Sequence, residues 1–178
     1  MLKNNTGLTL IEMVAMIVVL GIAIPPLLTN WGDIAWRSAR SESLADASFY
    51  AQELMEEIKS KRYDENSSSP WTASTGFSAT DAGESKANSA TFDDIDDFVG
   101  CADSLVTAPA AGYSRLANID YVRLNGTAWQ GCAAVNPCVA PTNCSACNEC
   151  CYKRITVTAS RTDNIGGSAG LTTIVSAH

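Results

Sequence analysis

Three groups of residues in this 178-residue chain have the types and spacing for chemistry: a cysteine cluster, a run of aspartates and one isolated glutamate. Cys132, Cys138, Cys144, Cys147, Cys150 and Cys151 fall within 20 residues, with Cys101 upstream. The spacing Cys144-x-x-Cys147-x-x-Cys150 would let thiolates wrap a soft metal ion or an iron–sulfur cluster. The bacterial ferredoxin run, however, continues with three residues and then Cys-Pro, whereas here Cys151 follows Cys150 at once. The chain also has no Cys-x-x-Cys-His for haem attachment. Disulfides need fewer assumptions, because the surrounding Asn, Pro, Ala and Ser offer little core and cross-links restrict the unfolded states of such a segment. All seven cysteines are therefore disulfide candidates. The odd count leaves at least one thiol unpaired, bridged to another chain, or on a metal, and the adjacent Cys150 and Cys151 are expected to bond different partners.

The aspartates are Asp93, Asp94, Asp96 and Asp97, set among Phe92, Ile95 and Phe98. Their hard oxygen atoms suit calcium, but an EF-hand counted from Asp94 would need Gly where Val99 stands and Glu where Leu105 stands. The preferred reading is a solvated turn whose aromatic rings pack while its carboxylates face water. No metal is favoured and no cofactor is expected. Catalysis is not expected either: the single histidine is His178, and no nucleophile–base pair or phosphate loop is visible. A formal charge of −7 argues against nucleic acid as a partner, since neutralising phosphates takes a basic face.

The third group is a single residue. Glu12 interrupts residues 8–28, which are otherwise almost wholly apolar and follow a short polar stretch, residues 1–7, with one positive side chain, Lys3. As a helix these 21 residues would span roughly 31 Å at about 1.5 Å each, the hydrocarbon thickness of a bilayer. A carboxylate in lipid costs on the order of 2–3 kcal/mol unless paired, so Glu12 needs a partner. If the chain is cut after Gly7, the new α-amino group of Leu8 lies one helical turn from Glu12, and a neighbouring subunit's Glu12 could face that amine. A conventional signal peptide with its apolar core at 13–24 is the alternative. The weakly basic leader, Glu12 itself and the lack of a small-x-small cleavage site all oppose it.

In this setting Gly7-Leu8-Thr9-Leu10-Ile11-Glu12 resembles the cleavage and methylation motif of type IV prepilins and type II secretion pseudopilins. That family has a short basic leader ending in Gly, an apolar first mature residue, Glu at mature position five and an apolar run. Leu8 stands where the family commonly has Phe, and Pro25-Pro26 precede the usual proline position by a few residues. The resemblance implies cleavage after Gly7 by a membrane-embedded prepilin peptidase, methylation of Leu8 as the new N-terminus, and a role for Glu12 in assembly. It also implies a pilin fold, with other pilin subunits, membrane lipid and an inner-membrane assembly platform as partners. The stretch around Phe92–Phe98 and the last two strands are similar to minor pilins of the mannose-sensitive haemagglutinin type.

These groups must be positioned by a small set of elements. A kink is expected at Pro25-Pro26. Beyond it Leu44, Ala47, Ala51, Leu54 and Ile58 recur at three- and four-residue steps, so residues 29–62 read as the head-packing half of one long helix. Glu57 and Lys61 form a favourable i,i+4 pair, and Asp64 to Pro70 is a breaker cluster. Residues 63–178 form the head, with loop 64–111 and the Cys-rich segment 132–151. Strands are expected at 117–124, closed by Asn125-Gly126, at 152–159, and at 171–176 after Gly166-Gly167. The fold class is α+β: a long N-terminal helix, transmembrane in its first half, packed on a small antiparallel sheet with a cysteine-rich loop. The leading functional expectation is a minor pilin-like subunit of a pilus, at the tip or in adhesion. It would sit in the inner membrane with a single pass and its head outside the cytoplasm, and then in a cell-surface pilus. A pseudopilin in a periplasmic pseudopilus shares the same physics, and a membrane-tethered metal or redox protein using the cysteine cluster is a third reading.

Overall fold

The long run of helix-compatible residues becomes one helix, α1 (Leu10–Lys59), in the computed structural model of the chain. The structure describes residues 9–66, 71–72, 76–77, 79–132, 152–163 and 166–176. Helix α1 is unbroken through Pro25 and Pro26. Proline lacks an N–H, so the carbonyls of Gly21 and Ile22 lose their usual donors there, and the Thr29 hydroxyl donates to Pro26 O at 3.0 Å. After α1 come two 3-10 turns (Ser89–Thr91 and Asp96–Phe98), a short helix α2 (Ser104–Thr107), and strands β1 (Tyr113–Asn125), β2 (Ala128–Gly131), β3 (Tyr152–Arg161) and β4 (Ser168–Ser176).

The chain divides into two compact units, Met1–Ser41 and Glu42–His178. In the first, every described residue is exposed, including Leu10, Ile11, Val14, Ile17, Leu28 and Trp31. In the second, α1 buries Ser43, Ala47, Ala51, Leu54, Met55 and Ile58. The expected stripe is present, but Leu44 lies at its rim, 36 % exposed, and Ser43 takes the inner position.

The four strands form one antiparallel sheet in the order β2-β1-β3-β4. Side chains alternate across a strand, and β3 keeps that alternation: Lys153, Ile155, Val157 and Ala159 are buried while their neighbours are not. Arg115, Ala117, Ile119 and Tyr121 line the same face from β1, and Ala169, Leu171 and Val175 complete it from β4. This face packs with the buried residues of α1 and with Phe77, Phe92, Ile95, Phe98 and Val106. On the opposite face the register sets Asp120 beside Arg154, joined by two hydrogen bonds of 3.0 and 2.6 Å.

Strand β3 runs two residues beyond 159 and β4 begins at Ser168 rather than at 171, and three further boundaries differ from expectation for identifiable reasons. Helix α1 ends at Lys59 rather than near Arg62 because the Arg62 backbone pairs with the aspartate turn: Arg62 N donates to Asp93 O (3.2 Å) and Ile95 N to Arg62 O (3.0 Å). Lys61 donates to Phe92 O at 2.7 Å, while the helix pair that forms is Lys59 with Glu56 at 3.3 Å. Strand β1 begins four residues before position 117, since the inward side chain that breaks the apolar pattern, Arg115, has partners of its own. Asn125 pairs with Ala128, so the hairpin loop is Gly126-Thr127, with Gly126 at φ +64°. That left-handed value suits glycine.

Candidate functional site

Glu12 lies in the first turn of α1, where its N–H and that of Met13 donate to Thr9 O at 3.1 and 3.2 Å. Ala15, Met16, Val19 and Leu20 share its face and line one apolar surface with it. Among the described residues α1 is the one helix long and apolar enough to cross a membrane. Glu12 is thus an acid set at the edge of a lipid-compatible surface. Gly7 and Leu8 lie outside the described residues.

The aspartate run does the opposite of what its composition predicts. Phe92, Ile95 and Phe98 pack in the core as expected, but Asp94, Asp96 and Asp97 are buried with them, at 1, 5 and 2 % exposure. Only Asp93 faces water, and it pairs with Arg62. Buried carboxylates need donors, and the turn supplies many. Asp94 Oδ1 accepts from the N–H groups of Asp96 (2.7 Å) and Asp97 (3.3 Å), and Asp97 Oδ2 accepts from those of Asp93 (3.0 Å) and Asp94 (3.2 Å). The two carboxylates tie the turn to itself.

Lys153, fully buried on the inner face of β3, provides the countercharge. Its Nζ donates to Asp96 Oδ1 at 2.5 Å, Asp64 Oδ2 at 3.1 Å and Tyr63 O at 2.6 Å. The rings of Tyr63, Phe77 and Tyr121 surround it at 4.4, 5.1 and 5.6 Å. Asp64 is held in turn by Thr72 N (2.9 Å), Thr72 Oγ1 (3.2 Å) and Asn66 N (3.1 Å). Burial pushes the Asp96 carboxyl up to about 8 despite the opposing pull of Lys153. Burial and the Asp97 charge raise Asp94 to about 6.

A second acidic group lies beside the turn. Carboxylate oxygens of Glu65, Glu84 and Asp93, and of Asp81, Glu84 and Asp97, come within 4.8 Å of one another. Burial, then the hydrogen bond and charge of Asp97, raise Glu84 to about 7. Lys86 compensates in part, donating to Asp97 O at 2.8 Å and approaching Asp97 Oδ1 at 3.8 Å. Each trio is a hard-oxygen set suited to calcium, which takes 6–8 oxygens, so with one oxygen from each residue either supplies about half of a shell. Of the four calcium candidates read from the sequence, only Asp93 and Asp97 enter these trios. Asp94 is committed to backbone donors and Asp96 to Lys153.

Cys101 is a half-buried free thiol, its pKa raised chiefly by burial, which accords with the odd cysteine count leaving a thiol unpaired. Cys132 is disulfide-bonded. Cys138, Cys144, Cys147, Cys150 and Cys151 lie outside the described residues. Sequence reasoning missed Lys153 as a site residue, yet a signal was present: it shares period-two parity with Ile155 and Val157, which places it inside.

No protein-family model matches the chain, and neither a curated protein nor a solved structure matches it. The architecture is α+β, an apolar N-terminal helix whose later turns pack on a small antiparallel sheet, and this is consistent with a pilin-like fold.

Proposed function

We propose that the chain is a minor type IV pilin-like subunit, processed after Gly7 and assembled through its N-terminal helix. The observation that carries this reading is Glu12: one carboxylate in the first turn of an exposed apolar helix, five residues after Gly7. An acid so placed is costly in lipid and is relieved by an amine. Cleavage after Gly7 creates such an amine on Leu8, so processing supplies the countercharge that assembly needs. Lipid tails are as apolar as the helix, and association in the membrane then rests on close packing and on neutralising Glu12.

The α+β head, built on the same helix as the apolar segment, supports the reading. The disulfide at Cys132 favours a cross-linked head over a thiolate metal centre. The proposed partners are other pilin subunits, a prepilin peptidase and an inner-membrane assembly platform. N-terminal mass spectrometry on protein from its host tests the proposal. A mature chain starting at N-methylated Leu8 is expected, and an uncut start or a cut beyond Ile24 overturns it.

A further inference from the structure

We propose that Lys153 and Asp96 become joined by an intramolecular amide bond, formed between Lys153 Nζ and Asp96 Cγ, with Asp64 as the proton carrier. The three groups are brought together from distant parts of the chain: Lys153 is 57 residues from Asp96 and 89 from Asp64. Nζ lies 2.5 Å from Asp96 Oδ1 and 3.1 Å from Asp64 Oδ2. The side chains of Lys153 and Asp64 are 0 % exposed and that of Asp96 is 7 % exposed.

Four features favour condensation over a simple ion pair. First, water is excluded, and three aromatic rings wall the amine. An ammonium and a carboxylate both pay for desolvation in such a place, so a neutral product is favoured over a buried ion pair. Second, Asp96 Oδ2 is buried with no hydrogen-bond partner among the described residues. A carboxylate kept only as a charge would waste that oxygen, whereas in a condensation it is the atom that leaves. Third, the reactants are held rigidly. Lys153 is clamped between Tyr121 of β1 and Val175 of β4, and the turn bearing Asp96 is tied by the reciprocal bonds of Asp94 and Asp97. Holding two groups in contact replaces a bimolecular encounter with an intramolecular one, worth several powers of ten in effective concentration. Fourth, Asp64 is fixed by Thr72 and Asn66 against the same Nζ, where a proton must be removed. The raised Asp96 pKa agrees with the protonated acid that the reaction needs.

The balance is that of a dehydration. The neutral amine attacks Cγ, forming the N–C bond, and gives one proton to Asp64. Asp64 returns that proton to the departing hydroxyl, the C–O bond breaks, and one water leaves. The amide keeps one N–H, and nothing is oxidised or reduced. The product replaces a buried ammonium and carboxyl by a neutral amide that fastens the aspartate turn to β3.

The test is intact mass spectrometry on the full chain, fully reduced and alkylated so that disulfides do not contribute, and referenced to its measured N-terminus. The wild-type chain is expected to be lighter than its residues by one water, and a digest is expected to yield one branched peptide containing both Asp96 and Lys153. Lys153→Arg and Asp96→Ala should have the full residue mass, Asp64→Ala should accumulate unlinked chain, and Asp96→Asn should lose ammonia in place of water. A wild-type chain at full residue mass overturns the proposal, with no variant needed to fold. So does a water loss that persists in Lys153→Arg.

Discussion

Arg115 allows the packing argument to be tested in numbers. It sits on the inner face of β1 among apolar residues, with its side chain 4 % exposed. Its guanidinium donates to Val106 O, to Leu105 O at 3.0 Å, to Tyr50 O at 3.2 Å and to Glu53 Oε2 at 2.8 Å. These four acceptors are not equivalent. Tyr50 O lies within α1 and has a helical donor of its own, and Glu53 is half exposed, so that ion pair contributes little. Leu105 and Val106 belong to the four-residue α2, whose last carbonyls have no intrahelical donors. Arg115 is their cap. Arg115→Met keeps the apolar stem but strips both carbonyls of a charged donor, at about 1.5–2 kcal/mol each, for a total of about 3–4 kcal/mol. Arg115→Lys should cost roughly half of that, because an ammonium lacks the planar fork that serves both carbonyls. The assay is urea unfolding of the full chain in detergent, with hydrogen exchange read at residues 104–108. A loss under about 1 kcal/mol for Arg115→Met, with exchange there unchanged, would refute the capping argument.

Other outcomes follow from the same geometry. Phe98 is 1 % exposed in the aspartate turn, so Phe98→Ala should cost about 3–5 kcal/mol by urea unfolding, and a near-neutral result would remove this turn from the core. Asp94 is raised to about 6 and Glu84 to about 7. Such acids hold more protons folded than unfolded, so their stabilising contribution is full below about pH 4 and is lost as pH rises through about 6 to 7. Asp94 alone accounts for about 3 kcal/mol of that loss. Urea midpoints should therefore fall from pH 5 to pH 8, opposite to the trend that native ion pairs give, and Asp94→Asn should flatten the dependence. In the host, Gly7→Val should leave the chain uncut. Glu12→Ala should be cut normally yet enter filaments poorly, and its normal incorporation, read by immunoblot of sheared filaments, would remove the role given to that carboxylate.

Short-range pattern was enough for much of this molecule. Residues 8–28 announce a membrane-compatible helix through composition alone, and Ala47, Ala51, Leu54 and Ile58 announce the face that packs, because helical period is a property of neighbouring residues. Strand β3 and the Gly126 and Gly166-Gly167 turns were legible for the same reason. The aspartate turn was not. A run of four acids reads as solvated because the cost of burying them is local, while the donors that meet that cost come from elsewhere. Arg115 and Lys153 were hidden in the same way, as charges on strand positions whose parity pointed inward with no visible partner. Tertiary structure alone decided that Lys153, Asp96 and Asp64 meet, since a buried charge is tolerable only once distant segments close around it.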